Sequence, residues 1–164
     1  MNKDALLRRY RAVLFFFIVC LILSGLTAFP LLHELRLMGA WLGIEDHASY
    51  VKLDGLKLWI GYVWHGLEVS YAQFPFIGYG TDWLAFGHIA IALFFIGPWR
   101  EPVPNAWVLR IGLVLCAAVV PLAFLCGEIR GIPMAWRVID SCFGIFGALS
   151  LLYCQRLTRQ MAQP

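Results

Sequence analysis

The sequence predicts an all-α integral membrane protein: four transmembrane helices, with an interfacial, extracytoplasmic helical segment between the first two. Composition is the first reason. Of the 164 residues, 61% are hydrophobic and 14% charged, whereas a soluble domain is nearer half apolar and a quarter charged. The mean hydropathy is +0.74. The apolar residues are also gathered into runs: Ala12 to Leu32 contains no charge, and about 20 such residues span a hydrocarbon core as a helix. A single membrane domain over residues 1–164 suits this length.

Taken in order, Met1 to Arg11 is short and basic, with Lys3, Arg8, Arg9 and Arg11 against Asp4. The run 12–32 is the first span. A signal peptide has a shorter apolar core followed by a small-x-small cleavage site, and LTAFPLLHE offers none, so a retained helix is expected. Residues 33–81 are mixed. Leu35, Met38 and Leu42 recur at helical spacing, and Gly43 is a natural stop. Ser49 is the expected cap of a further helix, in which Leu56, Ile60, Val63, Trp64, Leu67 and Tyr71 form one apolar face. Lys57, Gly61, His65 and Glu68 lie opposite. Such a face flanked by tryptophan and tyrosine describes a helix lying in the membrane interface, or a lid packed on the bundle.

QFPFIGYG then links to a second span, 83–99, capped by Thr81 or Asp82 and ended by Pro98, Pro102 and Pro104. The third span is 106–126, with Pro121 expected to bend it, and the fourth is 138–154, followed by the basic tail QRLTRQMAQP. Eight of the 13 basic residues fall on the side of the termini, so that side is expected to be cytoplasmic in a bacterial inner membrane. The segment 33–81 and the turn from Glu128 to Arg137 then face outward.

The stretch Gly127 to Gly147, GEIRGIPMAWRVIDSCFGIFG, concentrates the chemistry. Asp82, Glu128, Arg130, Arg137 and Asp140 all fall at the outer ends of spans, and His88 lies roughly 9 Å deeper than Asp82 at 1.5 Å rise per residue. Intramembrane charges of this kind usually face the bundle interior and mark a ligand or proton path. Arg137 and Asp140, three apart, share a helix face and are expected either to pair or to leave Arg137 free to grip an anion with Arg130. Asp140, Gly144, Gly147 and Leu151 recur at four, three and four. That stripe is either a helix-packing seam or a groove for an acyl chain. His88 shares a face with Ala85 and Ala92 and suits a hydrogen bond across helices; no second intramembrane histidine completes a haem axial pair.

Other classes find little support. Cys20, Cys116, Cys126, Cys142 and Cys154 form no CxxC motif and no Cys/His cluster, so no metal site and no cofactor is expected. A pairing of Cys126 with Cys142 stays open. No Lys/Arg block interleaved with aromatics points to nucleic acid. No nucleophile sits beside a base, since Ser141 and Asp140, as neighbours, point to different faces; acid–base work by His88 with Asp140 would need the fold to join them. The expected partner is a membrane lipid, with other membrane-protein subunits docking on 33–81 as the alternative.

The back half resembles the VanZ-like proteins, small multi-span bacterial membrane proteins. Glu128, Arg137, Asp140 and Gly147 match their pattern of Glu, Arg, an Asp opening the last span and a Gly two turns on, while Gly144 stands where that pattern has Asn. Asp82 and His88 are similar to its Asp/His-bearing span, at a different spacing. The resemblance implies an envelope-lipid role and no defined reaction.

Overall fold

The computed structural model describes residues 3–163, and every regular element among them is helical. The order is α1 (Lys3–Ala28), α2 (Leu31–Trp41), a 3-10 turn (His47–Lys52), α3 (Gly55–Gln73), a second 3-10 turn (Pro75–Ile77), α4 (Gly78–Phe94), α5 (Ile96–Arg100), α6 (Ala106–Ile129) and α7 (Met134–Met161). Four helical stretches are long and apolar enough to cross a membrane: Lys3–Ala28, Pro75–Arg100, Ala106–Ile129 and Met134–Met161. The chain is a multi-pass integral membrane protein, with shorter helices between its first two spans.

The expected boundaries shift for identifiable reasons. The first span starts nine residues earlier than 12, because Lys3 to Arg11 is helical as well. It stops at Ala28, where Phe29 and Pro30 make the turn into α2. The second span is capped by neither Thr81 nor Asp82. Its helix already runs from Gly78, and the Thr81 hydroxyl donates to the Gly78 carbonyl at 2.7 Å instead. Pro98 does not end it either: the chain breaks at Phe95 and resumes as α5, in whose first turn proline loses no helical bond. The tail after Cys154 continues α7 for two further turns.

The chain divides into two compact units, residues 22–90 and the remainder. In the unit made of 1–21 and 91–164, the core is Leu6, Tyr10, Leu14, Phe95, Leu109, Leu151, Cys154 and Leu157. Its polar fastening is reciprocal. The Tyr10 hydroxyl donates to the Pro98 carbonyl at 3.0 Å. The Arg11 Nε donates to the Trp99 carbonyl at 3.2 Å, while the Trp99 indole returns a bond to the Arg11 carbonyl at 3.2 Å. The Arg11 guanidinium also lies 5.4 Å from the Trp99 ring centroid, in cation–π reach. α6 and α7 form an αα-hairpin whose turn uses Gly131 at φ +68°. The Ile132 amide there reaches the Gly127 carbonyl at 2.8 Å, a Schellman ending that only glycine adopts freely.

In the unit 22–90, α2 ends the same way at Gly43, φ +71°, with the Ile44 amide on the Gly39 carbonyl at 2.8 Å. Ser49 is not a helix cap. Asp46 caps the 3-10 turn, and Ser49 donates to its carboxylate at 2.9 Å. α3 packs through residues of both its apolar face and the face opposite. Ile60 and Gly61 are its buried residues, whereas Leu56 is 55% exposed. Gly61 is packed because Tyr50 presses on it, a Cβ there lying 2.9 Å from the Tyr50 Cβ, and Gly39 of α2 admits the Trp64 ring in the same way. His65 and Glu68, on the face opposite the apolar one, thus follow Gly61 toward the 3-10 turn and α2.

Candidate functional site

The α6–α7 turn assembles three of the predicted residues. Glu128 and Arg130 close α6, with Arg130 as its C-cap, and Arg137 stands in the first turn of α7 behind Pro133. Arg137 is 8% exposed. Its side chain lies across Gly127, where a Cβ would come within 2.9 Å of its Cγ and Cδ. Its Nε donates to the Ile132 carbonyl at 2.6 Å and its Nη1 to the Glu128 carboxylate. The guanidinium therefore satisfies a turn carbonyl and an acid at once, and its position is fixed.

The expected Arg137–Asp140 pair does not form. Side chains on a helix lean toward its N-terminus, so Arg137 reaches back over the turn, away from Asp140, which follows it. Asp140 is half-buried and has no hydrogen bond or ion pair among the described residues. Ser141 is buried and donates to the Arg137 carbonyl at 2.9 Å. Arg130 is exposed, and its guanidinium has no partner among the described residues.

The small-residue stripe is a packing seam and holds no open groove. A Cβ at Gly144 would lie 2.5 Å from the Cys116 carbonyl oxygen and 3.0 Å from the Val119 side chain; one at Gly147 would meet Cys116 Sγ at 2.9 Å. Contact this close between backbones is what small residues give membrane helices, and it leaves no space for an acyl chain between α6 and α7. All five cysteines are free thiols, Cys126 and Cys142 among them.

Asp82 and His88 belong to the other unit. Asp82 is half-buried near the start of α4. His88 Nδ1 lies 2.8 Å from the Leu84 carbonyl of its own helix, so its hydrogen bond is local, not across helices. Its Cβ is 3.1 Å from the place a Cβ on Gly25 would occupy, which puts it on the seam between α1 and α4.

No family model matches this chain, and neither does any curated protein or solved structure.

A second polar cluster was not singled out from the sequence. In the unit 22–90, Arg36 of α2 holds Glu68 of α3 through Nη2 and Nε, at 2.6 and 3.3 Å, and the Trp64 indole donates to the same carboxylate at 3.1 Å. Arg36 chiefly, then the Trp64 indole, keeps the Glu68 carboxyl below its ordinary value. Next to it, His47 Nδ1 and His65 Nδ1 face each other at 3.1 Å. The rings of Trp64 and Tyr50 flank them, with centroids 5.2 Å from His47 and 5.2 Å from His65 respectively. Asp46 is held below its ordinary value first by the Ala48 amide, then by Ser49, and also feels both histidines. The two histidines are 18 apart in a segment without a ligand-spacing motif; the one available hint was that His65, Gly61 and Glu68 share a helix face. Among the described residues, no three His, Cys, Asp or Glu side chains group closely enough to hold a metal ion.

Proposed function

We propose that this multi-pass membrane protein holds an anionic envelope lipid, or an amphiphile of like charge, at the outer face of the α6–α7 turn. The observation that carries the reading is Arg130: exposed, without an acidic partner among the described residues, and at the same helix–helix turn as an Arg137 whose guanidinium is already immobilised. Glu128 neutralises one of the two cations, so the turn keeps one positive charge for a headgroup. Guanidinium suits phosphate because its planar fork matches the oxygens. The tails would lie outside the hairpin, along the exposed apolar side chains of Ile129, Met134 and Val138, since the seam between the helices is filled. The likeness of Glu128, Arg137, Asp140 and Gly147 to VanZ-like proteins supports the same envelope-lipid role.

The test is lipid retention by the purified chain in nanodiscs of mixed anionic and zwitterionic lipid. Arg130→Ala is expected to lower bound anionic lipid several-fold, and Arg137→Lys, which keeps the charge but loses the fork, to lower it less. Retention equal to wild type in Arg130→Ala would overturn the reading.

A second reading, an accessory subunit of a larger membrane complex, is favoured by one feature of the segment between the first two spans. Trp41 is 95% exposed at the end of α2, more than an isolated interfacial helix needs to show. Extraction in mild detergent distinguishes the two: a stoichiometric complex supports the subunit, and a monomer carrying lipid supports the binder. Acid–base catalysis on a lipid-linked substrate is a third reading, in which Nε2 of His88 would act while the Leu84 carbonyl engages Nδ1.

A further inference from the structure

The facing imidazoles of His47 and His65 are unlike anything else among the described residues. Two identical atoms, Nδ1 of each ring, point into one gap 3.1 Å wide, one from the 3-10 turn and one from α3. As a hydrogen bond this arrangement needs one ring to donate through Nδ1–H and the other to keep its Nδ1 lone pair. As a ligand pair it needs only that both lone pairs be free. Two imidazole nitrogens at 2.0–2.1 Å from a tetrahedral ion are about 3.3 Å apart, close to the spacing already present.

We propose that His47 and His65 form a two-imidazole site for a divalent transition-metal ion of the Zn2+, Ni2+ or Cu2+ class. Neutral imidazole is a favoured ligand for these ions. Both rings are half-buried and walled by aromatic rings, Tyr50 beside His65 and Trp64 beside His47. That packing sets their orientation before a metal arrives. The field favours a cation. Asp46, from the N-cap of the 3-10 turn, interacts with both histidines, and Glu68, from α3, interacts with His47. Arg36 of α2 offsets part of the Glu68 charge. The unit 22–90 as a whole carries six acidic residues against three basic ones. With two protein ligands, water completes the coordination sphere, which makes the site open and exchangeable, unlike a closed structural zinc centre. Metal and proton compete for the same two lone pairs, so metal binding releases protons.

The experiment uses the full chain, purified without a polyhistidine tag, stripped with chelator and returned to detergent at neutral pH. Zn2+ is titrated by calorimetry and Cu2+ by quenching of tryptophan fluorescence, the Trp64 ring lying 5.2 Å from that of His47. One ion per chain is expected, with His47→Ala and His65→Ala each weakening binding at least tenfold and His33→Ala leaving it unchanged. His65→Gln separates ligation from packing: it can still hydrogen-bond His47, so the thermal midpoint is expected to stay near wild type while metal binding is lost. Wild-type binding no stronger than that of the His47→Ala/His65→Ala double variant would overturn the proposal and leave the pair as a hydrogen bond within the segment. Equal loss in His33→Ala would overturn it too.

Discussion

Arg137 illustrates how much one residue's direction decides. Its charge and its place at the start of a span are plain in the sequence, and so is the nearness of Asp140. The partner it takes depends on the lean of side chains toward a helix N-terminus, and on Gly127 leaving room for its methylenes. Two variants separate the ion pair from the cap. Glu128 is 73% exposed as a side chain, so Glu128→Gln is expected to cost under about 1 kcal/mol of stability, as exposed pairs do. Arg137→Ala also strands the Ile132 carbonyl and opens a gap over Gly127, and is expected to cost about 1–3 kcal/mol. Unfolding of the two variants in a denaturant titration in mixed micelles checks the difference. Equal losses would mean that the carboxylate, not the turn carbonyl, is what holds Arg137.

At the scale of elements, the helices were legible and the packing on the polar side of α3 was not. Hydrophobic spacing placed helices over most of 33–81, and the stop at Gly43 needs only a glycine able to take positive φ. Counting apolar side chains does not reveal what packs on the opposite side. The 3-10 turn and α2 settle on the side where glycine lets them come close, through Gly61 and, from α2, Gly39. Polar partners then line that side, Arg36 with Glu68 above all. This gives the α2–α3 pair a dependence on acid. Arg36 lowers the Glu68 carboxyl below its ordinary 4.5, so its stabilisation is complete above that value and lost as pH falls through the folded-state value. Asp46 acts with the same sign at the 3-10 turn. The protection of α3 amides, corrected for the intrinsic pH dependence of exchange, is expected to fall on acidification, by about fivefold at most for a pair this exposed, and Glu68→Gln to shrink that response. An unchanged acid response in Glu68→Gln would mean that the ion pair does not hold the two helices.

Across the whole molecule, the legible part was the solvent the protein is built for. Phe15, Phe16, Leu115, Leu125, Phe143 and Phe146 all stand more than 45% exposed along the spans, an arrangement stable where lipid replaces water. Span boundaries were harder to read. The charged ends of α1 and α7 stay helical beyond the apolar run, with Leu6 and Tyr10 of the one and Leu157 of the other joining a common core. Whether residues belong to one packed unit depends on contacts distant in sequence, such as Tyr10 with Pro98, which no local pattern reveals. The excess of basic residues beside the termini predicts an orientation, with both ends on one side and the segment between α1 and α4 on the other. That arrangement underlies every assignment made to the α6–α7 turn. The most direct measurement places single cysteines, Lys52→Cys and Gln163→Cys, in a chain whose five native cysteines are replaced, and treats intact spheroplasts with a membrane-impermeant maleimide. Four crossings with this orientation require Lys52→Cys to be labelled at once and Gln163→Cys only after permeabilisation; labelling of both positions from the same side would contradict the architecture.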